Sequence, residues 1–170
     1  MTPTWKLPLE SQFVAAVDML ENAIRACPDR VWNDGATPVQ RRFWYLVFHT
    51  LFWLDFYLSE SDAGFAPPAP FTLDEMDPAG VYPERAYTRG ELLDYLAHGR
   101  EKLRRAVGSL TEADASRRCG IQSREMSVLE LHLYQIRHVQ HHVAQLHLIL
   151  RERTDSAPGW VGRGRLAPGG

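Results

Sequence analysis

The chain has 170 residues, 45% of them apolar, and a formal net charge of −2. That length fits one domain with a sizeable core. The near-neutral balance, with no basic stretch, argues against a surface that tracks nucleic-acid phosphates.

Two cysteines, Cys27 and Cys119, stand far apart. This excludes a disulfide framework and a cysteine zinc knuckle, and a reducing cytoplasm is the simplest compartment. The opening Met1-Thr2-Pro3-Thr4-Trp5-Lys6-Leu7-Pro8 has no apolar h-region, so no signal peptide is expected. The most apolar run, Phe43 to Leu58, is 16 residues long and holds His49 and Asp55. It is short for a membrane span and reads as a buried bundle helix.

Four long helical segments follow from apolar periodicity. The first covers about Leu9 to Ala26, with Phe13, Val17, Leu20 and Ile24 at helical spacing and Pro28 as its stop. The second opens at Thr37-Pro38, an N-cap followed by proline at the first helical position, and reaches about Ser59. The third opens with Thr88-Arg89-Gly90-Glu91, a capping-box pattern, and carries Leu92, Leu96, Leu103, Val107 and Leu110. A short helical turn is expected at Thr111 to Arg117. The fourth opens with a second capping-box pattern, Ser127-Val128-Leu129-Glu130, and runs to about Arg153. Its expected buried stripe is Leu129, Leu133, Ile136, Val143, Leu146 and Leu150.

Between the second and third segments, Glu60 to Tyr87 holds Pro67, Pro68, Pro70, Pro78 and Pro83, with Phe65, Phe71, Met76, Val81 and Tyr82 interspersed. A connection this long inside a compact domain usually has a function. Its apolar residues predict a crossover that packs over one end of the bundle. The stretch after Thr154 is rich in Gly, Pro and Arg and reads as a weakly structured tail, with Trp160 and Leu166 as docking residues. No strand pattern and no repeat is apparent. The expected architecture is all-α: a four-helix bundle over residues 1–153 with a long Pro-rich crossover, then a tail over 154–170.

Three histidines carry the chemistry. His138 and His142 lie four apart, hence on one face of a helix. With Gln135 and Gln145 they form a polar stripe bordered by Leu131 and Ile149. Spacing alone leaves two readings open: a metal site, or a satisfied hydrogen-bond network in the core. His49, flanked by Tyr45 and Trp53 and set among Phe48, Leu51 and Phe52, adds weight to metal. Deep burial would keep it neutral, which is the ligand form. Three convergent neutral imidazoles make a site with open coordination positions. His141 points about 100° away from His142 and reads as a support or surface residue. His98, beside Lys102 and Arg105, reads as solvated. His132 and His147 fall off the stripe and suit packing.

Local pattern excludes two metal classes. A zincin helix needs glutamate directly after its first histidine, and here that residue is Val139. A ferritin-like di-iron site needs Glu-x-x-His pairs, which the last segment lacks. There is also no Gly-rich phosphate loop and no nucleophile elbow.

His49, the long crossover and the run His138-Val139-Gln140-His141-His142-Val143-Ala144-Gln145-Leu146 together resemble the DinB-like superfamily of metalloenzymes, over about Leu9 to Arg153. The family run is similar to His-x-x-His-His-x-x-Gln. The resemblance implies a bundle in up-down-down-up order, a divalent metal (zinc or nickel most often), and a homodimer. It implies that His49, His138 and His142 are the metal ligands. Tyr45, Trp53, His141 and Gln145 are then the expected supports or pocket residues. Similar proteins include transferases and isomerases that use low-molecular-weight thiols, and domains that help build the iron site of sulfoxide synthases.

The resulting expectation is a cytoplasmic, metal-dependent transferase that joins such a thiol to a small electrophile, with Phe71, Tyr82 and Trp53 lining the pocket. A hydrolase using metal-bound hydroxide at the same site is a chemical variant. A non-catalytic metal-binding bundle is the alternative. It would need a fourth ligand on the first or third segment, and none stands out. A dimerising helical protein with an empty site is a third possibility. Nucleic-acid and membrane partners are not expected.

Overall fold

The computed structural model describes residues 2–165 and is helical, with two isolated bridges and no strand among those residues. The proposed docking residue Leu166 lies outside them. Four long helices, α1 (Lys6–Ala26), α3 (Phe43–Leu58), α4 (Arg89–Ser109) and α6 (Val128–Thr154), are joined by short α2 (Asp29–Trp32) and α5 (Glu112–Ser116). None is long and apolar enough to cross a membrane.

The caps explain the boundaries. Thr88 accepts a hydrogen bond from the Glu91 backbone while the Glu91 side chain returns one to Thr88, the reciprocal box expected there. Thr111 and Asp114 form a second box, which opens the helical turn expected at this point. At α6 only half of the expected box is made. Ser127 accepts from the Glu130 backbone at 3.2 Å, and the Glu130 side chain stays exposed.

The second segment departs from expectation. Thr37-Pro38 leads into a 3₁₀ turn at Val39–Arg41, and Arg42 is extended (φ −70°, ψ 144°), so α3 starts at Phe43. Side chains hold this break. Asp34 accepts from the Ala36 amide and the Thr37 hydroxyl, and Arg42 Nε donates to the Thr37 carbonyl at 2.8 Å. An Asx-type turn competes with helix here and wins.

The long helices pack in a ring: α6 touches α1 and α3, and α4 touches α3 and α1. Phe13, Val17, Leu20, Phe48, Leu92 and Val143 are fully buried between them. Leu133, expected inside, is 50% exposed, because it lies on the outer face of α6. Helix α3 buries 12 of its 16 residues, which accounts for its continuous apolar run. One face meets α4, another meets α6, and the crossover covers a third. Phe71 stacks on Phe48 at 5.9 Å, and Phe65 meets Phe52 and Phe56 edge-on. The crossover therefore packs, as its aromatic residues predict. The tail touches α1 through the backbone of Gly162 and Gly164, which bond to Gln12 and Ser11, while Trp160 is 72% exposed. A Cβ on Gly164 would come within 2.6 Å of the Ala15 backbone nitrogen.

One buried charge ties α3 to α4. Asp55, 1% exposed, accepts from Lys102 Nζ at 2.5 Å and from the Tyr95 hydroxyl at 3.1 Å. Lys102 also reaches the Asp55 carbonyl and the Ser59 hydroxyl. Removing one partner strands the other charge in the core. Lys102→Met is therefore expected to cost about 3 kcal/mol in urea unfolding. A second substitution, Asp55→Asn, should recover part of that loss.

Candidate metal centre

Helices α3 and α6 run antiparallel where they meet. Tyr57 packs edge-on against Tyr134 with ring centres 5.4 Å apart, and His49 meets His142 at 4.6 Å. This places the middle of α3 opposite the His138–His142 stripe. One ring nitrogen from each of His49, His138 and His142 lies within 4.8 Å of the other two.

The outward nitrogens are held from behind. His49 Nδ1 lies 2.6 Å from Glu75 Oε2, and His142 Nδ1 lies 2.7 Å from Gln145 Oε1. Both partners are acceptors, so each Nδ1 carries the proton. A ring protonated only there presents a lone pair on Nε2. The Nε2 atoms of His138 and His142 stand 3.2 Å apart. With His49 they form a donor set that suits a divalent ion with a nitrogen preference.

Electrostatics keeps the α6 pair in the ligand form. Burial pushes His138 down to about 3, reinforced by the charges of His142, His49 and His141. Burial likewise pushes His142 down to about 4, against the opposing hydrogen bond to Gln145. Both are neutral at pH 7. His49 is less buried than expected, with 26% of its side chain exposed. It sits in the middle of α3, between Glu75 of the crossover and His142 of α6, with part of its ring open to solvent.

Glu75 was not legible in the sequence. It sits in a 3₁₀ turn, Asp74–Met76, inside the Pro-rich crossover, where no periodicity marks it. Its side chain is 5% exposed. Oε2 also accepts from Trp53 Nε1 at 3.0 Å, and the Tyr45 hydroxyl faces the same carboxylate. Burial pushes the Glu75 carboxyl up, but the hydrogen bonds and attraction from His49, with those from Tyr45 and Trp53, hold it below its usual value. It is therefore ionised and fixes the His49 ring. Partners of this kind typically set metal affinity by about 10–100-fold. Glu75→Gln is expected to weaken zinc binding within that range in a chelator competition, with circular dichroism unchanged.

The other proposed residues fall in several places. His141 is exposed beside His142, off the stripe. Tyr45 and Trp53 flank His49 and converge on Glu75. Gln135, placed on the stripe by the helical wheel, instead turns into the core and pairs with His132 at 3.3 Å. Phe71 is buried between Phe48 and Tyr95 and does not face the histidines. Tyr82 is 44% exposed and packs edge-on against Tyr45. His98, though 40% exposed, lies 3.4 Å from the buried Asp55, so it is more than a solvated residue. His132 and His147 are buried, as packing residues would be.

A model of the DinB superfamily matches residues 12–146, and the chain belongs to that superfamily. Neither a curated protein nor a solved structure gives a significant match.

Proposed function

We propose that His49, His138 and His142 hold one divalent metal ion, zinc or nickel, and that the protein is a metal-dependent transferase joining a low-molecular-weight thiol to a small electrophile. The observation that carries this reading is the convergence of three ring nitrogens within 4.8 Å in a member of the DinB superfamily. When bound, an ion held only by neutral imidazoles keeps its full charge and lowers the pKa of a thiol toward neutral, which supplies a nucleophile.

The chain's own residues do the rest. Glu75 and Gln145 fix two of the imidazoles in orientation and tautomer. Tyr45, Trp53 and Tyr57 wall the site with rings and restrict water. The partial exposure of His49 gives substrates a path. No fourth His, Cys, Asp or Glu joins the cluster among the described residues, which favours an open site over a closed structural one. Within this reading the protein is a cytoplasmic homodimer, and the exposed Leu133 on α6 offers an apolar contact to a second copy.

The test is turnover of chlorodinitrobenzene with a panel of cellular thiols. The rate is expected to require both metal and thiol, to vanish in His49→Ala, and to persist at least in part in His141→Ala. A cobalt-loaded sample should gain a sulfur-to-metal charge-transfer band with the right thiol. No turnover and no band with any thiol would leave the metal-binding module as the better reading.

A further inference from the structure

A cavity of about 370 Å³ opens behind His142, on its Gln145 side, with none of the three histidines in its wall. Its wall starts with Leu46, one turn before His49 on α3, and with Gln145, one turn after His142 on α6. The volume falls within the range of small-molecule pockets, about 300–1,000 Å³.

Its floor is apolar: Phe43 and Leu46 from α3, Leu148 and Ile149 from α6. Its rim is charged, with Arg41, Arg42 and Arg153 against Asp34 and Glu152. Arg153 is paired with Asp34. Arg42 is anchored, but only by neutral acceptors: the Thr37 and Gly35 carbonyls and the Asn33 side-chain oxygen. Its charge is held in place without a direct carboxylate contact, although Asp34 and Glu152 share the rim. Among the described residues neither Arg41 nor Arg42 makes an ion pair. The cavity near Asp55 differs, because Lys102 there is consumed by Asp55 and Ser59. Gln145 links the cavity to the metal centre: it lines the wall and accepts from His142 Nδ1.

We infer that this cavity takes a small molecule with an apolar body and a terminal carboxylate, and that it communicates with the metal centre through Gln145 behind His142. The carboxylate lies against Arg41 and Arg42, and the apolar end points toward Gln145. The binding does not depend on the transferase reading above.

The probes are phenylbutyrate and phenylbutanol, which differ only in the charged end. Each is titrated calorimetrically into metal-free and zinc-loaded protein. The acid is expected to bind both forms, about tenfold or more tighter than the alcohol, as one charge-assisted hydrogen bond implies. Arg41→Gln should lower that preference severalfold, with Arg42 still in place, and leave the alcohol unchanged. Ile149→Trp fills the floor and should block both probes, and Leu148→Trp serves if that variant does not fold. In cobalt-loaded protein the ring protons of the acid should relax faster than the methylene beside its carboxylate.

Equal affinity for acid and alcohol overturns the inference. So does binding that ignores the tryptophan variants. A reversed relaxation order, with the carboxylate end nearest the metal, overturns it too. A protein that takes up no cobalt sinks the transferase reading, while the preference for the acid still decides the pocket.

Discussion

His142→Ala is expected to lose tight binding of zinc or nickel by more than about 100-fold, whereas His98→Ala should keep it. A three-nitrogen site that loses one ligand falls further than one that loses only a supporting hydrogen bond, which itself is worth about 10–100-fold. His142 is also the ring bridged to both neighbours: its Nε2 lies 3.2 Å from His138 and its Nδ1 is fixed by Gln145. His98 lies on α4 and faces Asp55, away from the cluster. Competition with a chromophoric chelator reads both variants. Equal metal content in the two would remove His142 from the ligand set.

Acidification from pH 7.5 to 5 is expected to release metal and to weaken the metal-free fold. Burial holds His138 at about 3 and His142 at about 4 in the folded chain. In the unfolded chain both titrate near the free value of about 6.5. Above that pH both states are neutral and the histidines contribute nothing to pH dependence. Below it, the unfolded chain takes up protons that the folded chain refuses until about pH 4 and 3. The unfolded state then binds more protons, so stability falls as pH falls. Protons also compete directly with metal for the same lone pairs. The metal-free protein should lose at least about 4 °C in melting temperature over this range, more than a His138→Gln, His142→Gln double variant loses. Parallel pH profiles for the two proteins would contradict the burial argument.

The sequence disclosed the helices and the histidines for one reason: both follow the helical period. Apolar residues at 3.6 spacing mark α1, α4 and α6, and His138 with His142 share a face by their separation alone. His49 stood out as a histidine inside the apolar run Phe43 to Leu58, and the resemblance implied its role as a ligand. What the period does not reach stayed hidden. Arg42 breaks the second segment through side-chain bonds to a turn, and nothing in the apolar pattern records such a bond. Glu75 acquires its role only when the crossover folds back onto α3, a long-range event inside a Pro-rich stretch. Leu133 and Gln135 changed sides because a helical wheel gives relative angles, not which arc the neighbours cover. The cavity beside Gln145 is a product of packing among α3, α6 and the loop at Asn33–Arg42, and no single segment encodes it.

X-ray absorption at the metal edge of zinc-loaded protein tests the central claim most directly. Three histidines holding an ion with an open position predict nitrogen scatterers at about 2.0–2.1 Å with imidazole multiple scattering, and no sulfur. Addition of the thiol that supports turnover should bring in one sulfur at about 2.3 Å. A shell already closed by a fourth protein ligand and unchanged by any thiol would contradict it.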